Sequence, residues 1–400
     1  MRIKATNLKS TLKNWGKYNF LILLEEMRHH INYYFLSLVI LLTGFGMFFL
    51  ATLSAPISLK FFGDTNYYLF HQLIALVIGF IAALIVLKIP ISFLKKIAPF
   101  LLLINLFLLV LVFFPGIGTK FWGAKRWISI GQNTFQPSEF LKISAIIYLS
   151  AFLSHKFFRG QKRGLAYLVK KGYYNFTKIF LPFLLLLATI TVLLYLQKDA
   201  STMGIIGATL IMIYFASGTP LWHTILAFLT GLGSISFFVL VEPYRIERLK
   251  TIFYPEADPL GVGLQLKQSL IALGSGGIFG KGLGLSTQKF GFLPQAMSDS
   301  VFAVIGEEIG IIGSSVVIIL FLLLAWSGFK IASSSADEFS KLMGVGISTW
   351  IVLQTLVNIT SIIGIFPLSG IPLPFFSYGG SHLIAEMIGM GILLKISKNS

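Results

Sequence analysis

Acidic side chains are scarce in this sequence, and three of them stand where a long apolar stretch begins. Asp299 opens that stretch, and Glu307 and Glu308 follow eight and nine residues later. Along a helix this separation is about 12–13 Å, so Asp299 lies nearer the water and the glutamates lie deeper. A carboxylate in such a position, beneath a loop rich in glycine and basic residues, can act as a general base on a substrate held by its phosphates. The alternative is a plain helix N-cap, which Ser298 and Ser300 also favour.

Two further sites carry charge at the ends of apolar stretches. Glu139 and Lys142 are three residues apart, so they share one helical face and can pair. They form either a structural salt bridge or a contact to a substrate, because charge in a membrane span is expensive and needs a partner or a role. Asp199 lies in the tight turn QKDAST, where it has either a functional role or the role of N-cap for the next helix.

A glycine cluster, GSGGIFGKGLG at 274–284, has two interpretations. Backbone N–H groups of glycine-rich turns bind anions, and Lys281 would add a charge for a diphosphate. Close packing against a membrane helix also needs small residues. No GxxxxGK[ST] sequence is present, which disfavours an ATP-driven pump. The six histidines show no metal-ligand spacing, so we predict no zinc site.

The composition places the chain in a membrane. Of its 400 residues 56% are hydrophobic and 12% charged, with a mean hydropathy of +0.83, against about 45–50% apolar and roughly 25% charged in soluble proteins. The chain has no cysteine, which excludes disulfides, thiol chemistry and cysteine-ligated metals. The net charge of +17 must first be compared with the rule that cytoplasmic loops collect Lys and Arg.

Ten apolar stretches are near the 17–25 residues that a membrane helix needs. They cover about 32–53, 67–88, 97–114, 138–155, 178–197, 200–218, 220–242, 299–328, 341–364 and 374–396. The sequence therefore predicts an all-α membrane protein, a polytopic bundle of ten transmembrane helices over 32–396. A basic, interfacial segment at 1–31 precedes it, and a large extracytoplasmic loop, 243–298, separates helices 7 and 8.

The basic residues orient this bundle. With both termini cytoplasmic, 20 of the 32 Lys and Arg residues lie inside, which explains most of the positive charge without nucleic acid. Three outer segments look unlike linkers: 115–137, 243–298 and 364–383. The last is rich in proline and glycine, and such breaks at membrane depth are tolerated only where the backbone is buried in protein or lines a cavity. We therefore predict a site on the outer face.

Three segments resemble the SEDS (shape, elongation, division and sporulation) family of peptidoglycan polymerases. They are GAKRWISIGQNTFQPSEFLKI at 123–143, the run from YRIERL to AVIGEEIGIIG at 244–313, and FPLSGIPLPFFSYGGSHL at 366–383. They occur in the family's order, and the ten-helix plan agrees. YRIERL, GLGLSTQKFGFLP and AVIGEE are more similar to the cell-division, FtsW-like branch than to the RodA-like branch.

The resemblance implies glycosyl transfer between lipid II molecules at the outer face of the bacterial cytoplasmic membrane. The 4-hydroxyl of one disaccharide attacks the anomeric carbon of another, and undecaprenyl diphosphate leaves. Asp299, in QAMSDSVF, stands where the family has its essential Asp and is the predicted catalytic base. Residues predicted to contact the diphosphate or glycan are Lys125, Arg126, Trp127, Glu139, Lys142, Asp199, Arg245, Arg248, Lys281, Lys289, Ser377, Gly379, Gly380 and Ser381.

The sequence departs from the family in two places. Met297, Ser298 and Ser300 stand around Asp299 where the family usually has His-Thr-Asp-Phe, so any role of that His is absent. The family's Pro-Asp-Leu-Gly-Thr turn reads KDAST, from Lys198 to Thr202, here. Both aspartates are kept, and the altered neighbours bear on substrate detail and rate.

The resemblance also implies partners. These are lipid II, a class B penicillin-binding protein acting as transpeptidase, and other proteins of the divisome or elongation complex. A divalent cation, Mg²⁺ or Mn²⁺, suits a diphosphate leaving group, although no spacing fixes its ligands. Two alternatives remain: a lipid II flippase, and a non-catalytic membrane scaffold of the division machinery.

Overall fold

The computed structural model describes residues 32–121, 124–131, 133–154, 172–241, 246, 248–251, 254, 258 and 261–399. Helices dominate these residues, as the sequence predicts. In chain order they are α1 (Tyr33–Phe62), α2 (Tyr67–Lys88), α3 (Ile91–Leu111), α4 (Pro137–Leu153), α5 (Leu181–Leu196), α6 (Ala200–Ala216), α7 (Leu221–Val241), α8 (Val262–Gly276), α9 (Val301–Ser334), α10 (Glu338–Ile362) and α11 (Gly380–Asn399). A π-helical turn, Phe176–Phe180, leads into α5. The predicted segment 1–31 lies outside the described residues.

Eight helices in the described part of the chain are long and apolar enough to cross a membrane. They are α1, α2, α3, Gly172–Leu196 ending in α5, Leu221–Phe238 in α7, α9, α10 and α11. The two remaining predicted spans, 138–155 and 200–218, coincide with α4 and α6, which have 17 residues each. The helical membrane class is confirmed, and the count of ten spans stays a prediction.

A small antiparallel sheet between α3 and α4 was missing from the all-α prediction. β1 (Gly118–Phe121) pairs with β2 (Ala124–Ile130), which pairs with β3 (Asn133–Phe135). Ile130 lies opposite Asn133, so two residues join β2 to β3, and the first of them, Gly131, has a φ of 63°. A two-residue connection that starts with glycine is typical of a β-hairpin, so SIGQNTF carried a local indication of the sheet.

The centre of the bundle is formed by α10 and α11. Over their spanning windows 67% of each helix is buried inside the protein, against 12% for α7, so α7 lies at the edge. α11 packs along α2, α10 packs against α6 and α9, and α4 packs against α3. The end of the bundle that contains Asp299 is the one that the charge pattern predicts to face outward, and it is called the outer end below.

The long helix α9 is broken at Gly310, where φ is 66° and ψ is −167°. In lipid, the backbone groups freed by such a break must find partners within the protein. They find them in the strap, defined as residues 277–290, which follows α8. The strap donates from the amides of Lys281 and Gly282 to the carbonyls of Glu307 and Glu308, at 2.9 and 3.0 Å. It also accepts from the amides of Ile311 and Ile312, at 3.0 and 3.2 Å.

Glycine is required where the strap and the broken helix touch. A Cβ atom at Gly310 would lie 2.4 Å from the backbone nitrogen of Gly280, and one at Gly280 would lie 2.2 Å from the carbonyl oxygen of Glu308. Real Cβ atoms do not approach backbone this closely. The glycine cluster therefore serves close backbone packing, which is the second of its two predicted interpretations.

Replacing Gly310 with alanine should destabilise the protein, because it combines a positive φ with a backbone clash. The expected loss is at least about 1–3 kcal/mol from the strained dihedral alone, seen as a lower midpoint in thermal unfolding of the detergent-solubilised protein. Gly204→Ala is the matched control, since Gly204 lies within α6 with nothing within 4 Å of its Cβ position. Equal midpoints for the two variants would contradict the proposed packing at Gly310.

Candidate functional site

Asp299 lies two residues before α9, at the outer end, and its backbone is anchored on both sides. The Asn358 side-chain amide donates to the carbonyls of Asp299 and Ile371, at 2.8 and 2.7 Å. Ser377 Oγ donates to the carbonyl of Ser298 at 2.5 Å. These contacts join the start of α9 to the segment 364–379, called the outer turn below, which connects α10 to α11. The structure thus brings two of the predicted outer segments together.

The side chain of Asp299 is half-buried, with one carboxylate oxygen 3.4 Å from the position of a Cβ on Gly370 in the outer turn. Burial raises the pKa of this carboxyl to about 6, while Arg248, a hydrogen bond from Ser298 and, more weakly, Arg126 lower it. The N-cap position of α9 is occupied by Ser300. The alternative interpretation of Asp299 as the N-cap is therefore wrong.

Arg126 reaches from β2 to the turn between α5 and α6. Its guanidinium donates to the carbonyls of Lys198 at 2.5 Å and Gln197 at 3.4 Å, and lies 3.7 Å from a carboxylate oxygen of Asp199. Asp199 also caps α6, accepting from the amide of Thr202 at 3.4 Å. Asp199 therefore caps α6, as one interpretation predicts, and it pairs with Arg126; its functional role stays a prediction.

Arg248 is bound to the outer turn. It donates to the carbonyl of Leu368 in the outer turn at 3.1 Å, and it is the strongest charge acting on the carboxyl of Asp299. Ser201, at the start of α6, donates to the carbonyl of Ser369 at 2.5 Å. The outer turn thus connects the two arginines to Asp299. Arg245 lies outside the described residues.

Lys125 and Trp127 flank Arg126 on β2, where both are half-buried. Trp127 pairs with Thr119 of β1 in the sheet. Their position at the outer end agrees with the predicted role, and their contact with a substrate stays a prediction.

Glu139 and Lys142 form the predicted salt bridge, at 2.7 Å, and both side chains are buried. The Lys142 ammonium also donates to Gln354 at 2.9 Å. Gln354 in turn donates to the carbonyl of Pro372 at 3.1 Å and to Glu386 at 3.3 Å. The pair therefore belongs to a buried network beneath the outer turn, and its predicted contact with substrate remains a prediction.

The sequence reasoning missed three side chains that hold this network and the outer turn in place. Gln354 and Asn358 lie four residues apart on α10, and Glu386 on α11 accepts from the amide of Phe375 at 3.0 Å. All three are buried. Polar side chains inside spans usually bind a neighbouring element, so the i, i+4 spacing of Gln354 and Asn358 was an available indication.

The predicted glycine and serine residues between 377 and 381 tie the outer turn and the start of α11 to the rest of the bundle. The amide of Gly379 donates to the side chain of Gln72 at 3.0 Å, and Ser381 Oγ accepts from the amide of Gln136 at 3.1 Å. Ser377 binds the residue before Asp299, as described above, and Gly380 begins α11. These residues build the wall of the site.

Lys281 and Lys289 are each paired with a buried carboxylate. The Lys281 ammonium lies 2.6 Å from Glu307, and that of Lys289 lies 3.3 Å from Glu308. The backbone amides of Thr287 and Gln288 also donate to Glu307, both at 3.3 Å. The donors of the strap that were predicted to bind an anion therefore bind the carboxylate of Glu307. Binding of a diphosphate by Lys281 and Lys289 stays a prediction.

No cluster of three or more His, Asp or Glu side chains suited to a metal ion occurs among the described residues. The site described above offers Asp299 and Asp199 on separate elements. Binding of Mg²⁺ or Mn²⁺ stays a prediction.

The chain belongs to the cell cycle protein family FTSW_RODA_SPOVE, whose family model matches residues 33–400. This confirms the resemblance seen in the sequence. Among its relatives is the "Probable peptidoglycan glycosyltransferase FtsW" of Trichlorobacter lovleyi, 37% identical over 362 residues, which are 90% of this chain and 92% of that one. Another is the stage V sporulation protein E of Bacillus subtilis, 36% identical over 363 residues, 91% of this chain and 96% of that one.

Solved structures share the fold. One of them belongs to "Structural coordination of polymerization and crosslinking by a peptidoglycan synthase complex". It has a TM-score of 0.70 and is 24% identical, over 92% of this chain and 98% of that one. The rod shape determining protein RodA of Thermus thermophilus has a TM-score of 0.65 and 24% identity, covering 92% and 97%. The chain is therefore a multi-pass membrane protein of this fold.

Removing the charge of Arg248 should raise the pKa of Asp299 above its value of about 6. The guanidinium favours the ionised carboxylate, so Arg248→Gln shifts the balance toward the protonated acid. The titration can be followed by infrared difference spectroscopy of the carboxylate stretch, with Asp299→Asn identifying the band. A midpoint that is unchanged or lower in Arg248→Gln would contradict the electrostatic link.

Proposed function

We propose that this protein is a peptidoglycan glycosyltransferase that polymerises lipid II into glycan strands during cell division. The observation that carries the proposal is Asp299, a half-buried carboxylate at the outer end with a pKa of about 6, on which the charges of Arg248 and Arg126 act. The family membership and the relatives named as peptidoglycan glycosyltransferases support the same activity. The relatives named FtsW and stage V sporulation protein E support the division branch.

The residues at this site suit glycosyl transfer. Asp299 accepts the proton of the attacking 4-hydroxyl as the new glycosidic bond to the anomeric carbon forms. The bond between that carbon and the diphosphate oxygen breaks, and undecaprenyl diphosphate leaves with the electron pair. At neutral pH a carboxyl with a pKa of about 6 is mostly ionised, yet it is a stronger base than an ordinary Asp. Arg248 and Arg126 supply positive charge for the leaving diphosphate.

The proposed setting is the bacterial cytoplasmic membrane, with both termini in the cytoplasm and Asp299 facing outward. The uneven distribution of Lys and Arg supports this orientation. The likeness to a synthase complex that coordinates polymerization and crosslinking supports a class B penicillin-binding protein as partner, together with other proteins of the divisome or elongation complex.

The second candidate is a lipid II flippase. The buried pair Glu139–Lys142 favours it, because charges inside a span often mark a transport pathway. A purely structural scaffold role is the third candidate. Asp299 and the arginines gathered at one end favour the enzyme over both.

Asp299→Ala should lose about 10²-fold to 10⁴-fold in the rate of lipid II polymerisation, because that is the usual contribution of a general base. The measurement uses the purified protein with its class B partner, and glycan strands made from labelled lipid II are separated by electrophoresis. Asp64→Asn is the matched control, since Asp64 is an exposed carboxylate in the loop between α1 and α2.

Three results would contradict the proposal in different ways. Polymerisation by Asp299→Ala at the rate of the unmodified protein would exclude Asp299 as the base. Appearance of lipid II headgroups on the outer leaflet of vesicles, with no polymer formed, would favour the flippase. Full complementation of cell division by Asp299→Ala would favour the scaffold.

A further inference from the structure

We propose that Glu307 is a positioning residue. It binds the short helix 301–309 to the strap and so holds Asp299 in place at the site. The inference rests on the role of Asp299 in the proposed function. Glu307 lies eight positions after Asp299, about 12 Å along a helix, so it does not reach that carboxylate directly. It acts through the helix between them, which is about 13 Å long.

The carboxylate of Glu307 is fully buried and is surrounded by donors from the strap. The Lys281 ammonium lies at 2.6 Å, the Thr287 hydroxyl at 2.9 Å and the Ser286 hydroxyl is in direct contact. The amides of Thr287 and Gln288 also donate to this carboxylate. A buried carboxylate is tolerated only when its oxygens are paired in this way, so the strap and Glu307 depend on each other.

Lys281 holds the same residue a second time. Its backbone amide donates to the carbonyl of Glu307 at 2.9 Å, while its ammonium binds the carboxylate. The side chain and the main chain of Glu307 are thus both bound to one residue of the strap. Glu308 is held in parallel by Lys289, which also donates to the carbonyl of Gly284 at 2.5 Å.

The break at Gly310 makes these contacts decisive for position. Helix 301–309 does not continue into the rest of α9, because the dihedral angles of Gly310 interrupt the regular backbone. A helix separated in this way is placed by what it packs on. The residues from Val301 to Glu308 are all buried, and the strap packs against the end of this helix at Glu307 and Glu308.

The outer end of the short helix is held by the same unit. Gln265 on α8 donates to Ser300 Oγ at 2.9 Å, one residue from Asp299. α8 continues directly into the strap, and Ser275 near its end also donates to Glu307, at 3.4 Å. α8, the strap and helix 301–309 therefore form one hydrogen-bonded unit, and Asp299 lies at its outer end.

The test is Glu307→Gln, which keeps the size of the side chain and removes the charge that Lys281 binds. Lipid II polymerisation should show kcat lower by about 10²-fold, the cost of a misplacement of roughly 1 Å, with KM unchanged. The acid limb of the pH profile should move below about 6, because a displaced Asp299 is more exposed to water. Amide hydrogen exchange should increase together in the strap and in residues 299–309.

Two further variants keep the test decisive if Glu307→Gln folds poorly. Thr287→Val removes one hydroxyl donor to Glu307 and keeps the side chain nearly the same shape. It should change kcat, the acid limb and hydrogen exchange in the same directions as Glu307→Gln, but by smaller amounts. Leu283→Ala is the control, because Leu283 is an exposed strap residue at 55%, and it should behave as the unmodified protein.

Unchanged kcat and an unchanged acid limb in folded Glu307→Gln would overturn the inference, even if thermal stability fell, because Glu307 would then matter only for folding. If the unmodified protein makes no polymer, the proposed function fails and hydrogen exchange decides the inference alone. Coupled loss of protection in the strap and in 299–309 then supports it, and loss confined to the strap overturns it.

Discussion

The need to satisfy backbone hydrogen bonds away from water governs the outer half of this protein. Lipid offers no partners to a free N–H or C=O group, so every interruption of a helix must be covered by protein. Among the described residues, two interruptions lie at the outer end, at Gly310 in α9 and along the outer turn between α10 and α11. The strap covers the first, and side chains such as Asn358 and Gln354 cover the second. Irregular backbone at this depth is what brings Asp299 next to Gly370.

Charge at the outer end is divided between structure and chemistry. Lys281 and Lys289 are balanced by Glu307 and Glu308, and Lys142 is balanced by Glu139. These pairs are electrically neutral and hold elements together. The arginines bind backbone carbonyl groups and act on Asp299 at a distance, and Arg126 in addition lies 3.7 Å from the carboxylate of Asp199. Under the proposed function, these guanidinium groups are the candidates to bind the diphosphate, because their geometry suits phosphate better than that of an ammonium does.

Some of this arrangement could be predicted from the sequence, and the reasons are local. Hydropathy located most helices, the break-forming residues of 364–383 indicated a walled site, and the spacing of Asp299 placed it at the mouth of a span. The sheet at 118–135 was missed because its strands are short, although the hairpin glycine was visible. The pairing of Lys281 with Glu307 could not be predicted, since it depends on the break at Gly310 and on contacts between distant segments. Gly310 itself is one glycine among 38.

The break in α9 also divides the electrical character of that helix. An unbroken span would have a single macrodipole, with its partial charges at the two ends of the membrane. Helix 301–309 instead has its own dipole, whose positive end lies beside Asp299 and whose negative end lies at residues 307–309, where Lys281 and Lys289 are bound. Cations at a helix C-terminus and anions at its N-terminus are both stabilised. The short helix thus adds a positive partial charge at the outer end, beside the carboxylate to which the proposed function assigns the proton transfer.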